Sequence, residues 1–359
     1  MQNDKKMLDD GNNMDKLVNL GDLTKQELEE FVENLGQPKY RGRQIFKWVQ
    51  KGAESFDGMT DQNKALRSLL KDRAKIYLPE IAEKFVSKID GTIKYLLKLE
   101  DGNYIESVVM RYKHGNTICI SSQVGCRMGC KFCASTIGGL VRNLSCHEMA
   151  GQIIRASKDM GERISNIVIM GIGEPLDNYE NILNFFKIVN DPDGLNIGLR
   201  HITLSTCGLV DRIYRLADEK LPITLAISLH AANDGLRKTI MPIANKYSID
   251  ELIKACFYYV KATNRRITFE YALISGVNDD IKDAIELSNL LDGLLCHVNL
   301  IPVNPINEAD FKASSKERIE KFVKYLESNN IPVTVRRKLG SDIDASCGQL
   351  RKRREEVNS

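Results

Sequence analysis

The fold is decided by the stretch CISSQVGCRMGCKFC, which runs from Cys119 to Cys133. Three of its cysteines, Cys126, Cys130 and Cys133, form a C-x3-C-x2-C pattern on a glycine-punctuated loop that follows a short β-type run. Three thiolates on one tight loop bind three irons of a cubane iron–sulfur cluster and leave the fourth iron open to a small molecule. The next cysteine, Cys146, lies beyond a Gly-Gly turn in a predicted helix, which argues against a fourth protein ligand.

Two other uses of these cysteines are weighed against the cluster. A zinc site takes four ligands and usually a second paired element, C-x2-C or H-x3-5-H, which the sequence does not show. A disulfide framework is typical of small secreted chains, whereas this chain has 359 residues and a polar N-terminus of mixed charge that is not a signal sequence. The open-iron cluster is therefore the favoured interpretation.

Composition indicates a globular protein of the reducing cytoplasm. The chain is 43% hydrophobic and 28% charged, and no apolar run is long enough to span a membrane. Its nine cysteines, an odd number without a regular framework, favour a cytoplasmic location. A net charge of +3 is too small to indicate nucleic-acid binding by itself.

The first 80 residues predict a disordered leader (1–14) and a helical, RNA-binding accessory domain (15–80). Thr24 and Glu27 form a capping box for the first helix, and two more helices are predicted at 41–50 and 61–73. The segment PKYRGRQIFKWVQK (38–51) mixes basic and aromatic residues, which suits an RNA surface. Taken alone, this segment favours a simpler interpretation, in which Phe46 and Trp48 are core residues and the charged side chains are exposed to solvent.

Residues 81–111 are predicted to form a β-hairpin extension. Two alternating runs, 94–99 and 104–112, flank Asp101-Gly102, which is a strong signal for a tight turn between antiparallel strands. Glu106 interrupts the second run, and by itself it is expected to face solvent.

From residue 112 to 340, short apolar runs alternate with capped amphipathic helices. Six or seven such units predict an α/β fold with a parallel sheet, and we favour a partial, open βα barrel over a doubly wound sheet. Capping boxes are predicted at Ser145, Ser248 and Ser314, each with a Glu three residues later. The predicted strands are 117–121, 167–171, 202–205, 224–229, 267–273, 298–301 and 333–336.

Polar residues follow four of these strands, at the end where βα barrels carry their active sites. Each one alone is a weak signal, because Gly173 fits any turn and His230 fits any hydrogen-bonded loop. Together they form a ring of donors and acceptors suited to an amino acid, a ribose and an adenine. The residues are Gly173, Glu174, Ser205, Ser228, Leu229, His230 and Asn304.

The cysteine motif, with Phe132 just before its last cysteine, resembles that of the radical S-adenosylmethionine (SAM) superfamily. The resemblance implies a [4Fe–4S] cluster held by Cys126, Cys130 and Cys133, with SAM on the open iron. One electron would then cleave SAM to a 5′-deoxyadenosyl radical. The resemblance also implies that Gly173 and Glu174 meet the SAM amino group. The positions that would hold the rest of SAM are Ser205, Ser228, the backbone of Leu229, His230 and Asn304.

Motifs from about residue 90 to 350 are similar to the RlmN/Cfr family of RNA adenine methyltransferases within that superfamily. They are CISSQVGCRMGCKFC, MGIGEPLDN, LSTCGLV, SLHA, HVNLIPVNP and SDIDASCGQL, and the PKYRGRQIFKW segment matches the family's accessory domain. Cys347 lies in the last motif, on a predicted C-terminal loop and basic tail (341–359). An exposed unpaired cysteine in a cytoplasmic protein is a liability unless it has a use.

The family resemblance implies a use for Cys347. One SAM methylates its sulfur, the radical from a second SAM removes a hydrogen from that methyl group, and the methylene radical adds to C2 of adenine. Glu106 occupies the family's proton-acceptor position. Cys119 would attack the Cys347 sulfur, release the RNA and leave a Cys119–Cys347 disulfide.

The resemblance further implies the partners. They are 23S ribosomal RNA at the peptidyl transferase centre, the adenosine 3′ of the anticodon in some tRNAs, and a reduced flavodoxin- or ferredoxin-type electron donor. A monomer without membrane contact is expected.

Two alternatives stay open. One is C8 methylation of the same ribosomal adenosine, as in the sister enzyme, which typically has Ala where this chain has Pro175. The other is a non-catalytic iron–sulfur or zinc RNA-binding module. Cys146, Cys207, Cys256 and Cys296 are predicted to be packing residues. Arg336, Arg337, Lys338 and the basic tail from Arg351 to Arg354 are expected to contact phosphates or to be solvated.

Overall fold

A ten-stranded sheet organises the fold. The structure is a computed structural model that describes residues 17–304 and 311–350, so the predicted leader (1–14) and the basic tail from Arg351 lie outside the described residues. The strands of the large sheet are β1 Glu80–Val86, β2 Ile93–Lys98, β3 Tyr104–Tyr112, β4 Gly115–Cys119, β5 Ile164–Ile169, β6 Ile202–Thr206, β7 Thr224–Ser228, β8 Ile267–Leu273, β9 Cys296–Pro302 and β10 Val333–Val335. The helices are α1 Lys25–Asn34, α2 Tyr40–Gln50, α3 Lys64–Arg73, α4 Cys146–Met160, α5 Tyr179–Asn190, α6 Val210–Asp218, α7 Asp234–Ile240, α8 Ile249–Thr263, α9 Ile281–Leu290 and α10 Lys316–Ser328.

The strand order distinguishes an open barrel from a doubly wound sheet. The strands lie side by side in the order of the chain, from β1 at one edge to β10 at the other. Strands β4 to β10 are parallel, and β1 to β4 pair antiparallel. A doubly wound sheet reverses its order at a switch point, and the described strands contain no such reversal. The prediction of an open βα barrel, with the hairpin β2–β3 extending its sheet, is therefore confirmed.

Strand alternation separates the packed layer from the barrel interior. In β8, Ile267, Phe269, Tyr271 and Leu273 are buried in the main apolar cluster. The residues between them point the other way, and Glu270 and Ala272 line a cavity inside the barrel. Because one face of each strand carries the core, the other face is available for polar residues. Within the described residues, no helix is both long and apolar enough to cross a membrane.

Helix starts follow the predicted caps in most places. Thr24, Ser145 and Ser248 each form the predicted capping box. The prediction of a cap at Ser314 is wrong, because α10 begins one residue later and Ser315 accepts the N–H of Arg318 at 3.3 Å. The residue before Ser314 is extended, because Ala313 forms an isolated antiparallel β-bridge with Ile274, just after β8. The helix therefore begins only after this bridge. Helix α3 likewise begins after Asn63, which caps it, and not at residue 61.

The helical segment at the N-terminus has its own apolar cluster, built from residues between Leu20 and Ala74. Phe46 is fully buried in this cluster, and Trp48 packs against it while its indole N–H donates to Asp61 Oδ1 at 2.7 Å. The interpretation of these two aromatics as packing residues is thus confirmed. Tyr40 remains 55% exposed, with the Arg41 guanidinium 5.0 Å from its ring centroid.

Basic residues of this helical segment form ion pairs with the barrel. Asp193, in the loop after α5, accepts contacts from Lys25 (3.2 Å), Arg43 (2.7 Å) and Lys47 (3.2 Å). Lys25 also pairs with Asp191 at 2.9 Å. The Arg43 hydrogen bond and the two lysines hold the pKa of Asp193 well below its usual range. Arg43 and Lys47 therefore form ion pairs within the chain. The sequence had predicted that these side chains contact RNA or solvent.

Reversing the charge of Asp193 tests this attachment. Asp193→Lys replaces attraction to three cations by repulsion, so we expect a lower Tm at low salt and a smaller difference from the wild type at about 1 M salt. Because the pKa of Asp193 is lowered on folding, the stabilisation is present at neutral pH and is lost as pH falls through the folded value. Asp292→Lys, at an exposed position, is the control. An equal loss of Tm in both variants would contradict the attachment.

Candidate functional site

The three motif cysteines line one wall of a cavity at the C-terminal ends of the barrel strands. Their loop follows β4 and is braced by a short antiparallel ladder, Gln123–Val124 with Arg142–Asn143. The cavity is open to solvent, and residues from several strand ends line it together with the three cysteines. The structure therefore brings Cys126, Cys130 and Cys133 together on one cavity wall.

The donor set suits a cluster that takes one thiolate per iron. Burial raises the pKa of the thiol of Cys126 to about 12 and also raises the pKa values of Cys130 and Cys133, so these groups are protonated in the metal-free chain. Binding iron must displace those protons, as thiolate ligation generally requires. Across residues 17–304 and 311–350, no three His, Cys, Asp or Glu side chains converge closely enough to hold one metal ion. A cubane does not require such convergence, because its three thiolates bind three separate irons.

Ten residues predicted from the sequence line this one cavity. They are Cys126, Cys130, Cys133, Gly173, Glu174, Ser205, Ser228, His230, Asn304 and Cys347. Three others, Leu229, Glu106 and Cys119, are not among its lining residues. The strand ends thus assemble nearly the whole predicted set from six separate stretches of the chain.

Gly173 and Glu174 are fixed by the cluster loop. Gly173 has φ +110°, and a Cβ there would lie 2.6 Å from the Cβ of Gln123, so glycine is required. The Glu174 N–H donates to Gln123 Oε1 at 2.9 Å. The Glu174 carboxylate accepts the N–H groups of Cys207 (2.7 Å) and Leu176 (3.0 Å). Burial raises the pKa of Glu174 in spite of these bonds, and a cationic group bound in the cavity would oppose this effect by favouring the carboxylate form.

Further lining residues lie at the C-terminal ends of β6 and β7. The Ser205 and Ser228 hydroxyl oxygens lie 3.5 Å apart, and both line the cavity. His230 Nδ1 accepts the N–H of Ala272 at 2.8 Å, and its ring meets the edge of Phe132 at 4.6 Å between centroids. Leu229 differs from the rest, because its side chain lies in the main core and its N–H donates to Glu270 O at 3.1 Å.

Cys347 reaches the cavity because its loop is bonded to the cluster loop. The Gly348 carbonyl accepts the N–H of Ala134 at 2.8 Å, and the Leu350 carbonyl accepts the Ser135 hydroxyl at 2.7 Å. The Asn304 side chain donates to the Cys347 carbonyl at 3.1 Å. Gly348 has φ +83°, and a Cβ there would come within 3.0 Å of the Phe132 carbonyl. The two cysteine-bearing loops, remote in sequence, therefore share one wall.

Cys119 lies beside this cavity, and Glu106 is buried on the adjacent strand β3. Cys119 is buried in a small apolar cluster with Val108, Met110, Ile172 and Leu350. Burial and the Cys347 thiol raise the pKa of Cys119 to about 12, while the Arg336 charge opposes them. Glu106 is 1% exposed, so the expectation of an outward-facing charge is wrong. It faces inward because the C-terminal loop covers this side of β3, and Lys94 Nζ lies 3.7 Å from Glu106 Oε1.

Two further cavity residues were missed from the sequence. Glu270 is 4% exposed and accepts the Asn299 side-chain N–H at 2.9 Å. Arg336 Nη1 lies 3.6 Å from Glu270 Oε2 and 3.7 Å from the Met170 sulfur. The Arg336 guanidinium is thus turned towards the barrel interior and is paired there, while its contact with phosphates stays a prediction. A glutamate at the centre of the apolar run ITFEYAL was the available signal, since a buried charge in a parallel strand needs a partner.

The remaining cysteines are mostly structural. Cys256 and Cys296 lie in the main core, and Cys146 starts α4 with its sulfur 3.3 Å from the Asp22 carbonyl. Cys207 differs, since it lines the cavity and its N–H holds Glu174. Packing thus describes three of the four.

Replacing His230 by Asn should flatten the pH dependence of stability. Asn tolerates the positive φ of residue 230 (57°) and offers Oδ1 where His offers Nδ1. Burial, aided by the Arg237 charge, lowers the pKa of His230 to about 3, so stability present above pH 6.5 is lost as pH falls from 6.5 towards 3. Between about pH 8 and about pH 5, we expect the wild type to lose about 2 kcal/mol more unfolding free energy than the variant, measured by urea titration.

The exposed His201 provides the control for this comparison. His201→Asn should leave the wild-type pH dependence unchanged. If His230→Asn and the wild type lost equal stability at low pH, His230 would not be the group that titrates.

Comparison with known proteins agrees with this geometry. The family model for the radical SAM superfamily matches residues 120–288. The model for the ribosomal RNA large subunit methyltransferase N-terminal domain matches residues 18–76. A relative from Clostridium tetani is 56% identical over 96% of this chain and 99% of its own length. One from Alkaliphilus oremlandii is 60% identical over 94% and 98%. Both are named dual-specificity RNA methyltransferase RlmN.

A solved structure is also similar over almost the whole chain. It is a radical SAM methyltransferase from Sphaerobacter thermophilus, with a TM-score of 0.88 and 48% identity, covering 93% of this chain and 99% of that one. Members of the radical SAM superfamily hold a [4Fe–4S] cluster and bind SAM. The three cysteine thiols and the polar strand-end residues that line the cavity suit these two groups. At this identity and coverage, the chain belongs to the RlmN family of radical SAM methyltransferases.

Proposed function

We propose that this RNA methyltransferase methylates C2 of one adenosine in the peptidyl transferase centre of 23S ribosomal RNA, and C2 of the adenosine 3′ of the anticodon in a subset of tRNAs. The observation that carries the proposal is the position of Cys347, which lines the same cavity as Cys126, Cys130 and Cys133. A thiol next to the SAM site is what a methyl carrier needs. The relatives' shared name supports RNA as the substrate class.

The chemistry of the target explains why a carrier is needed. Adenine C2 is electrophilic and bears an inert C–H bond, while the methyl group of SAM is also an electrophile, so direct polar transfer is blocked. The bound cluster and SAM supply the radical that activates the carried methyl group. Cys347 supplies the rest of the route: its sulfur takes the methyl group of one SAM, and its methylene carbon forms the bond to C2.

The cavity residues have matching binding roles. Cys126, Cys130 and Cys133 would hold the cluster, and Glu174 would receive the SAM ammonium group. Ser205, Ser228, His230 and Asn304 offer hydrogen-bonding groups in the same cavity. His230 stays neutral at physiological pH because burial keeps its pKa low. For Leu229, whose backbone is already engaged in the sheet, the role is limited to placing its neighbours.

Glu106 and Cys119 complete the turnover. Glu106 takes up the C2 proton from the RNA adduct. Cys119 then attacks the Cys347 sulfur: the S–S bond forms as the S–CH₂ bond breaks, and the released carbon takes up a proton to become the methyl group of the RNA. The one electron left from radical addition would return to the electron carrier, which would also reduce the disulfide for the next turnover. The buried Cys119 thiol must first lose its proton, and the Arg336 charge favours that loss.

The remaining assignments divide the chain by task. We assign RNA contact to the accessory domain (15–80), support of the barrel edge to the hairpin (81–111), radical chemistry to the barrel (112–340) and methyl carriage to the C-terminal loop (341–359). A flavodoxin- or ferredoxin-type protein supplies electrons, and the enzyme works as a cytoplasmic monomer.

Mass analysis of digested RNA from cells with and without the gene tests the position of methylation. We expect 2-methyladenosine to disappear from ribosomal RNA and from some tRNAs when the gene is removed. Finding only 8-methyladenosine would overturn the C2 assignment, and Pro175 in the GEP motif favours C2. Anaerobic purification tests the non-catalytic alternative, since a colourless protein with bound zinc and no SAM cleavage would support that alternative.

Cys347→Ala should abolish RNA methylation, because the sulfur that would accept the methyl group is lost. Iron content and SAM binding should stay at the wild-type level. Activity is measured as transfer of labelled methyl groups to ribosomal RNA fragments, and Cys296→Ala, in the core, should remain active. Residual turnover in Cys347→Ala would remove Cys347 as the carrier.

Cys119→Ala should trap RNA on the protein. The adduct at Cys347 forms but no thiol resolves it, so a slower band that contains both RNA and protein should accumulate on denaturing gels. Normal multiple turnover without such a band would contradict the resolving role of Cys119.

A further inference from the structure

The loop that carries Cys347 is fastened at both ends. Its later end is bonded to the cluster loop, as described above. Its earlier end is bonded to the turn between β1 and β2, which we call the β1–β2 turn (residues 87–92). Asp342 makes this second attachment: its Oδ1 accepts the Ser87 hydroxyl at 2.7 Å, and its Oδ2 accepts the N–H of Lys88 at 2.9 Å.

A reciprocal bond strengthens the same contact. Gly340 donates its N–H to Asp90 Oδ2 at 2.9 Å, so each segment contributes a carboxylate to the other. The other oxygen of Asp90 accepts the N–H of Thr92 at 2.9 Å, which fixes its orientation within the turn. Bonds in which a carboxylate accepts are stronger than neutral ones. The hydroxyl of Ser87 helps to keep the pKa of Asp342 below its usual range, so the carboxylate is charged at neutral pH.

The β1–β2 turn is preorganised to receive Asp342. Ser87 is buried, and its N–H donates to the Thr92 carbonyl at 2.8 Å. The N–H of Gly91 returns to the Ser87 carbonyl at 3.2 Å. The Ser87 oxygen also accepts the N–H groups of Ile89 and Asp90 at 3.2 and 3.3 Å, which leaves its proton for Asp342. A hydroxyl that accepts two backbone N–H groups, on a residue whose own N–H and carbonyl are also bonded, holds its partner in one place.

We propose that the β1–β2 turn is a positioning element for Cys347, and that Asp342 is the latch that holds the methyl-carrying loop over the cavity. The proposal rests on the proposed function of Cys347. With residues 340–342 and 348–350 both fastened, the short segment between them keeps its backbone in place. The Cys347 thiol then meets its successive partners by rotation of its side chain, and SAM and the adenosine come to it.

If Asp342 holds this loop, removing its hydrogen bonds to Ser87 and Lys88 should make the Cys347 thiol more mobile without disturbing the cluster site. The test uses the iron-loaded enzyme under anaerobic conditions, in the wild type and in Asp342→Ala and Ser87→Ala. The first readout is the rate at which a bulky maleimide labels Cys347, located by peptide mass analysis in the absence of RNA. The second readout is kcat and KM for an RNA fragment, and iron content and Tm are recorded for every variant.

The chain offers a matched control in the same loop. Asp344 is exposed, and among the described residues only its backbone oxygen is bonded, to Lys94 Nζ at 3.3 Å. Asp344→Asn removes the same charge and tolerates the positive φ of 50°. Asp342→Asn is the conservative variant, because its amide oxygen still accepts from Ser87 while its NH₂ group cannot accept from Lys88.

In Asp342→Ala we expect labelling of Cys347 to rise about tenfold and kcat to fall by a similar factor, as loss of a charged hydrogen-bond pair implies. KM for RNA and iron content should not change. Ser87→Ala should show a smaller effect, the double variant no more than Asp342→Ala, and Asp342→Asn an intermediate one. Asp344→Asn should match the wild type in both readouts.

Two results would overturn the proposed role of Asp342. One is wild-type labelling and kcat in Asp342→Ala, and the other is a lower Tm with unchanged labelling, which would make the contact merely structural. Failure of the proposed function looks different: the wild type would transfer no methyl group to RNA, while the labelling experiment would still report whether Asp342 holds the loop.

Discussion

The site depends on one pair of contacts between segments that are far apart in sequence. The carbonyls of Gly348 and Leu350 accept the N–H of Ala134 and the hydroxyl of Ser135, directly after the last motif cysteine. A backbone group buried without a partner is costly, so each loop needs the other to satisfy its polar atoms. The same bonds that stabilise the two loops therefore place a thiol beside the cluster ligands, and stability and chemistry have a common origin here.

The barrel gives these contacts a firm frame. Its parallel strands present the apolar side chains of one face to the helices, as in β8, and reserve the other face for polar groups such as Glu270. The interior charges are matched in pairs, Glu270 with Arg336 and Glu106 with Lys94. Matched charges are tolerated at low exposure where single ones are not. A polar cavity can thus exist at the centre of a fold that is otherwise held together by apolar packing.

Local patterns in the sequence predicted the parallel strands, the β2–β3 hairpin and the caps at Thr24, Ser145 and Ser248, because these depend on neighbouring residues. Contacts between segments that are distant in sequence could not be predicted from local patterns. The burial of Glu106 depends on the C-terminal loop, the inward turn of Arg336 depends on Glu270, and the engagement of Arg43 depends on Asp193. Strand-end position located most of the cavity residues, whereas the association of Cys347 with them followed from family resemblance and from no local signal.

The docking of residues 348–350 against the cluster loop has a consequence for how the protein matures. These residues are synthesised after the cluster loop and after every strand of the sheet, so the loop with Cys126, Cys130 and Cys133 at first has no cover from them. Once they dock, the Gly348 carbonyl accepts the N–H of Ala134, directly after Cys133. Iron and sulfide are therefore expected to reach the three thiols more readily before residues 348–350 dock than afterwards.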